Sequence, residues 1–569
     1  MLESGSVKIA VIPTGIPNLD PVLGGGLPEL STTVVGGLVG TGKTTLAQQI
    51  SFHVGTPEHP TIYFTTLGEP TLKLLRYQQQ FSFFDSSKVG TSVHIIDVGS
   101  EAADKGTIGA LQEIGSHVER LSPRLVVVDS YRAIDDLSGG NPARWRLFTR
   151  ELVELLAGWQ CTALLLGEYT EEQVGVGPEF TVVDNVIYLS QEMHHNSVLR
   201  RLRVIKMRGQ APQPGRHAFR VLDRGLEVYP HLPVIADAPR RRKGGRASTG
   251  IPGLDEMMTG GIPRGQTCVV AGSSGVGKTL MALHFAVAGA RAGEPCVMVT
   301  FEESPAEHAE KMAAFGWDLA DLEKRGLIRM VYLRPVDLSL DEVMYTISAA
   351  VDDFKARRVV INSISGMETA LPQTEQPELV EGLYRLCANL TARGLVVMLT
   401  TEVPDSFGGI RLSGQGLSFL SDNAILLRYV EIAGELRRAL IIVKMRTSKH
   451  EGTLREYRID AQGIVLDKSF RDYYGVLTGA PTLRAVQEPR PFTKGLAPNE
   501  EAAMNTLLSL KRADPQQVAD ALGSDLHETR HLLDRLEETG YVIRTDKDGA
   551  HTYRVALLAQ PGPPGRKKV

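Results

Sequence analysis

Residues 34–46 read VVGGLVGTGKTTL, and residues 269–280 read VVAGSSGVGKTL. Glycine, glycine, lysine and threonine recur at the spacing G-x-x-x-x-G-K-T, at Gly37, Gly42, Lys43 and Thr44 and again at Gly272, Gly277, Lys278 and Thr279. In each copy a Val-rich apolar run leads into the glycines and an amphipathic helical pattern follows. In that setting the glycines let consecutive backbone N–H groups curl around phosphate oxygens, the lysine neutralises the terminal phosphates, and the threonine hydroxyl reaches Mg²⁺. Gly40, Thr45, Gly275 and Leu280 complete the two candidate ATP-binding loops. A chance match is a poor account of two loops in register, so the fold they predict is α/β, with mostly parallel sheets flanked by helices.

Outward from the loops the correspondence continues at an offset of 235. Residues 14–28, TGIPNLDPVLGGGLP, pair without a gap with residues 249–263, TGIPGLDEMMTGGIP, which marks a duplication. A second strand, at 61–67 and 296–301, ends in acids: Gly68-Glu69 in the first half and Glu302-Glu303 in the second. Ligands of parallel sheets sit beyond the carboxyl ends of the strands, where Glu69, Glu302 and Glu303 could orient and deprotonate an attacking water or hydroxyl. The run 124–130 closes on Asp129, the residue type that steadies a Mg²⁺ water shell, whereas its counterpart at 358–363 carries Asn362. Thr44, Thr279, Asp129 and Glu302 form the candidate metal set, and Lys43 and Lys278 join the glutamates and Asp129 as the catalytic set. Further strands end at Glu168 and Glu402 or begin at Asp184-Asn185 and Asp422-Asn423. Both halves then show Lys-Met-Arg, at Lys206 to Arg208 and Lys444 to Arg446, whose recurrence favours cations that reach a phosphate across a subunit boundary. Trp317, beside Phe315, is a candidate for covering the adenine face.

The chain has 569 residues, more than one core needs, and a net charge of −4, which offers no global attraction to nucleic acid or an anionic membrane. Cys161, Cys268, Cys296 and Cys387 lack C-x-x-C spacing and read as buried, reduced thiols. The first residues lack the pattern of a signal peptide, and no 18-residue apolar span follows. A cytoplasmic protein without membrane attachment is therefore expected.

With these motifs assembled, residues 14–481 resemble the KaiC family of double-domain ATPases within the RecA-like superfamily. The resemblance rests on both TGIPxLD preambles, both phosphate loops, TFEESP at 300–305, FGWDL at 315–319, YVEIAGE at 429–435, both KMR signatures and SFRDYYGVLTGAP at 469–481. It implies a hexameric ring of two stacked tiers with ATP at each subunit boundary. Glu69, Glu302 and Glu303 match the family's catalytic glutamates, and Lys206, Arg208, Lys444 and Arg446 match groups that reach the neighbour's ATP. The family's clock protein phosphorylates an adjacent Ser-Thr pair in its second tier. Here that pair reads Ser418-Phe419, so a two-site cycle is not expected, while autophosphorylation at Ser418, or at the nearby Ser413 or Ser421, stays open.

The expected organisation is a first ATPase domain at 1–233, a basic linker at 234–247 containing PRRRKGGR, a second ATPase domain at 248–481, a Pro-rich linker at 482–498, and a last unit at 499–556 with a disordered tail at 557–569. Three helices and a hairpin around Asp548-Gly549 make that unit resemble a winged helix-turn-helix, with Ser524 opening its third helix. Residues 500–554 hold eleven acids against seven Lys and Arg. Phosphate repulsion then disfavours DNA and favours a protein contact. The functional reading is a slow ring ATPase used in regulation through partner proteins. Its rivals are a Ser autokinase in the second half, an ATP-gated transcriptional regulator, and a RecA-like DNA-dependent ATPase.

Overall fold

The Val-rich run before the first loop forms strand β1 (Thr32–Gly37), buried at every residue, as a parallel strand covered on both faces must be. In this computed structural model the described residues are 9–66, 71–136, 141–177, 179–194, 197–232, 244–334, 339–371, 376–403, 421–432, 434–470, 473–474, 482–483, 496–547 and 550–555. After β1 come β2 (Thr61–Thr65), β3 (Val93–Asp97), β4 (Leu125–Asp129), β5 (Thr162–Glu168), β6 (Asn185–His194), β7 (Ser197–Lys206), β8 (His217–Leu222) and β9 (Gly225–Tyr229). They form one nine-stranded sheet in the order β9-β8-β7-β6-β1-β5-β4-β2-β3. The pairs among β1 to β6 are parallel, and β7, β8 and β9 extend the sheet in antiparallel fashion.

The second half repeats this arrangement strand for strand. Its strands are β10 (Thr267–Gly272), β11 (Cys296–Thr300), β12 (Ile328–Tyr332), β13 (Arg358–Asn362), β14 (Val396–Glu402), β15 (Asn423–Ile432), β16 (Glu435–Met445), β17 (Arg455–Asp460) and β18 (Gly463–Ser469), in the order β18-β17-β16-β15-β10-β14-β13-β11-β12. The expected α/β architecture with mostly parallel sheets is present twice. Edge strands β3 and β12 and the outer hairpins β8–β9 and β17–β18 lie beyond the strands read from the sequence.

The preamble motif has a mechanical role beyond turn formation. Thr14 donates from both N–H (2.9 Å) and hydroxyl (2.6 Å) to Asp20 Oδ1, and Thr249 does the same to Asp255 at 2.8 and 2.7 Å. The six-residue spacing of Thr and Asp thus closes a loop that packs its Ile and Leu, Ile16 and Leu19 or Ile251 and Leu254, into the core. At the base of each central strand, Asp184 accepts the Thr32 N–H at 3.1 Å and Asp422 accepts the Thr267 N–H at 3.2 Å.

The chain divides into two compact units, residues 1–482 and 483–569. Within the first, the halves meet through Arg220 and Glu342 (2.8 Å), His231 and Asp341 (2.6 Å), and the Tyr345 hydroxyl on Asn18 Oδ1 (2.7 Å). The described residues of the second unit form three helices, Pro498–Leu510, Pro515–Leu522 and Leu526–Glu538, followed by an antiparallel pair, Val542–Lys547 with Ala550–Val555. Asp514 and Gln517 form a capping box on its second helix. The third is capped by Asp525 rather than Ser524, because the carboxylate accepts from the N–H groups of His527 and Glu528 while the Ser524 hydroxyl is engaged with Thr529. No helix among the described residues is long and apolar enough to cross a membrane. All four cysteines are buried and free, and burial pushes their thiols up, Cys161 to about 11.

The two halves differ in how their fourth strand is anchored. Arg358, with 2% of its side chain exposed, bonds Glu294 at 2.8 Å and donates to the carbonyls of Ser248 (2.7 Å) and Phe285 (2.9 Å). Its counterpart Arg124 pairs at the surface with Glu29. Substituting Arg358→Met should therefore leave Glu294 with Arg264 but without its buried partner, take the donor from the Ser248 and Phe285 carbonyls, and cost ~3 kcal/mol. Arg124→Met should cost less than ~1 kcal/mol. Urea denaturation of the two variants measures the contrast.

Candidate functional site

Each phosphate loop is shaped by what its neighbours allow. A Cβ on Gly37 would lie 2.3 Å from the Leu189 carbonyl oxygen of β6, and one on Gly272 would lie 2.5 Å from that of Leu427 on β15. Only glycine lets the strand end pass so close to the adjoining backbone. The chain then turns through Gly40 (φ 79°) and Gly42 (φ 102°), or Gly275 (φ 75°) and Gly277 (φ 106°), into helices α1 (Lys43–Val54) and α2 (Lys278–Arg291). Neither helix has a side-chain cap, so its first N–H groups remain directed at the loop, where an anion is favoured.

In the first half the buried Lys43 ammonium donates to the carbonyls of Gly37 and Leu38, both at 2.9 Å. Burial lowers its pKa, and Glu168 and Asp129 pull it back up. Thr44 donates to Asp129 Oδ2 at 2.8 Å, and the Tyr63 hydroxyl donates to the same oxygen at 2.5 Å. Burial, then the Asp129 charge, raises the Tyr63 pKa well above its ordinary value, so Tyr63 stays a donor. Thr45 is half-buried in the first turn of α1.

In the second half Lys278 donates to the Ser273 carbonyl (2.7 Å) and lies 3.4 Å from Glu402 Oε1. Thr279 donates to Asn362 Oδ1 at 3.3 Å, an oxygen that also accepts from Thr400 at 2.8 Å. Glu302 accepts from the Ser363 hydroxyl at 3.1 Å, and Glu303 pairs with Lys311. Lys278, Thr279, Glu302, Glu303 and Phe315 all line a cavity of about 440 Å³. Leu280 lines it as well. Trp317 instead lies in the core, its ring edge-on to His284 at 4.8 Å, and Phe315, 5.4 Å from it, takes the wall. Glu69 and Ser418 lie outside the described residues.

The Lys-Met-Arg groups sit at the other end of the sheet. Lys206 pairs with Val186 at the start of β6, and Asn185 pairs with Thr33 at the start of β1. From there to Gly37 the strand runs about 13 Å. Lys206 donates to the carbonyls of Phe180 (3.1 Å) and Val183 (2.6 Å), and Lys444 to that of Ser421 (2.7 Å). Burial lowers both lysines, helped by the adjacent arginine. Arg208, 59% exposed, pairs with Asp184 at 3.1 Å, and Arg446, 47% exposed, with Asp422 at 3.4 Å. Neither cation touches its own phosphate loop. Sequence reasoning noted Glu168 and Glu402 at their strand ends without giving them a role; their position beside the loop lysines was legible from the strand-end rule.

Two sheets of this topology, each with a loop-and-helix anion cradle at the carboxyl end of its central strand, define a tandem RecA-like phosphate-loop ATPase. A family model described as "ATPase: KaiC" matches residues 12–233 and 247–470. The chain belongs to the KaiC family and is a P-loop ATPase. Among curated relatives, the circadian clock oscillator protein KaiC of Parathermosynechococcus lividus is 30% identical over 84% of this chain and 90% of its own length. That of Picosynechococcus sp. is 28% identical over 86% and 96%. The circadian clock protein KaiC3 of Synechocystis sp. is 28% identical over 86% and 98%.

The asymmetry between Asp129 and Asn362 is directly testable. Asp129→Asn should cost ~1 kcal/mol, because Thr44 and Tyr63 then donate to a neutral oxygen, and urea denaturation of the variant measures it.

Proposed function

We propose that the chain assembles into a hexameric ring in which each nucleotide is bound by one protomer's loop and completed by the next protomer's cations. The observation that carries this is the placement of Lys206, Arg208, Lys444 and Arg446 a full strand length from their own loops, with both arginines largely exposed. In this reading Lys43 and Lys278 hold the terminal phosphates of ATP, the α1 and α2 amides cradle the remaining oxygens, and Phe315 rather than Trp317 covers the base in the second half. Glu302 in the second half and Glu69 in the first take the proton of the attacking water, and Glu303 helps to orient it.

The donor set fits Mg²⁺. Among the described residues no three His, Cys, Asp or Glu side chains converge as a metal site, and a hard ion held by one hydroxyl, one carboxylate and the nucleotide's own phosphates needs none. Thr44 beside Asp129 meets that description in the first half, and Thr279 with Asn362 and Glu302 in the second. When bound, the ion would neutralise phosphate charge. Neither half has the complete set, since the first has Gly68 at the position of Glu302 and the second lacks the Asp, so turnover should be slow.

The last unit, residues 499–556, we assign to the winged-helix class and to protein recognition, because Asp525, Glu528, Asp534 and Glu538 are exposed along its third helix. Autophosphorylation is the second reading, favoured by retention of Ser418. Ser421 is buried, which leaves Ser413 and Ser418 as acceptors, and peptide mapping after incubation with γ-labelled ATP decides between them and none.

The shared site predicts complementation. With the second half silenced by Lys278→Ala, Arg208→Ala should cut hydrolysis at least ~100-fold, and Lys43→Ala should abolish it. Mixing the two silent proteins in equal amounts should restore about a quarter of the reference rate, because one interface in four then joins an intact loop to an intact arginine. No recovery after subunit exchange would exclude the shared site.

A further inference from the structure

At the end of β11 two glutamates stand side by side on the wall of the second cavity, where the end of β2 carries Gly68 and a single glutamate. Adjacent carboxylates repel a bound polyphosphate, and in a half-buried cavity water screens that repulsion poorly. Glu303, however, is compensated. Lys311, on the helix Pro305–Ala313 that begins two residues later, donates its ammonium to Glu303 Oε1 and lines the same cavity. On the other side, His308 Nε2 lies 3.6 Å from Glu303 Oε2, its ring wholly buried and neither nitrogen hydrogen-bonded. Glu302 is turned elsewhere, to the Ser363 hydroxyl and against Gly366, where a Cβ would come within 2.6 Å of its carboxylate.

The first half carries neither residue type at the matching positions. At the offset of 234 that relates Phe315 to Phe81, Lys311 corresponds to Tyr77, an exposed ring, and His308 corresponds to Leu74, a buried apolar side chain. The second glutamate and the lysine that offsets it therefore occur together in one half and are both missing from the other.

We propose that Lys311 is a positioning residue of the second nucleotide site: it pins and neutralises Glu303, so that an anionic nucleotide can bind beside paired glutamates while Glu302, held at the cavity wall by Ser363, carries the remaining charge. This rests on the reading of that cavity as a nucleotide site, and the experiment separates the two. In the full-length chain with Lys43→Ala, calorimetric titration with ATP·Mg²⁺ reports the second site. Lys311→Met should raise its Kd about tenfold, and Lys311→Arg should stay within about threefold of the background. Adding Glu303→Gln to Lys311→Met should bring affinity back to within about threefold, which a merely structural loss would not allow. Glu303→Gln alone, which keeps the side-chain shape, should tighten binding and serves if Lys311→Met folds poorly. An unchanged Kd in Lys311→Met, a loss that Glu303→Gln does not recover, or weaker binding in Glu303→Gln alone overturns the role of Lys311. A Lys43→Ala background that binds no ATP overturns the nucleotide site itself.

Discussion

The close passage of each central strand's end against the backbone of its neighbour is the constraint from which the rest follows. At Gly37 and Gly272 the space for a Cβ is already taken by a carbonyl oxygen of β6 or β15. The chain can leave the sheet there only by turning sharply, and the turn delivers the uncapped N-terminus of α1 or α2 to the strand end. The same pairing fixes the opposite end. Because β6 lies parallel to β1 and is tied to its first residue through Asp184, the Lys-Met-Arg group that follows β7 is held at the far side of the sheet from the loop. The sheet acts as a spacer between a phosphate cradle and a pair of cations, and in the proposed ring a second copy of the chain brings the two together.

Duplication of this frame leaves room for the copies to diverge without loss of the fold. Asp129 is bracketed by Thr44 and Tyr63, both donating to one oxygen, which holds the carboxylate in one orientation. In the second half the Tyr63 position is Met298, which offers no donor, and Asn362 takes its bonds from Thr279 and Thr400 instead. The neutral amide and the neutral thioether occur together, so the change is a substitution of one local network by another. At the neighbouring strand end the direction is opposite, with more charge in the second half and a lysine to match it. The two sites are therefore different electrostatic environments inside one backbone design.

Much of this was legible in the sequence because the signals were local and periodic. Both loops, the preambles, the strand-end acids and the repeat itself rest on spacing, and spacing survives into structure. The strands that escaped notice, β3 and β12, are five-residue edge strands, VHIID and IRMVY, half-exposed and interrupted by His or Arg. Such segments lack the unbroken apolar run that marks a central strand. The outer hairpins were missed for the same reason. Trp317 was misplaced because a sequence shows that two aromatics lie two residues apart but not which one the turn after the helix directs inward; here the larger ring packs against His284 and the smaller faces the cavity. The pairing of Lys311 with Glu303 spans eight residues and a change from strand end to helix, a distance at which no pattern rule applies.

The account as a whole depends on subunits completing one another's nucleotide sites, and mass in solution tests that most directly. Light scattering of the 62.0 kDa chain with and without saturating ATP·Mg²⁺ should show nucleotide-dependent assembly to six times that mass. A particle that stays at 62.0 kDa in saturating nucleotide while still hydrolysing it would contradict the account, because each loop would then be working without the cations of a neighbour.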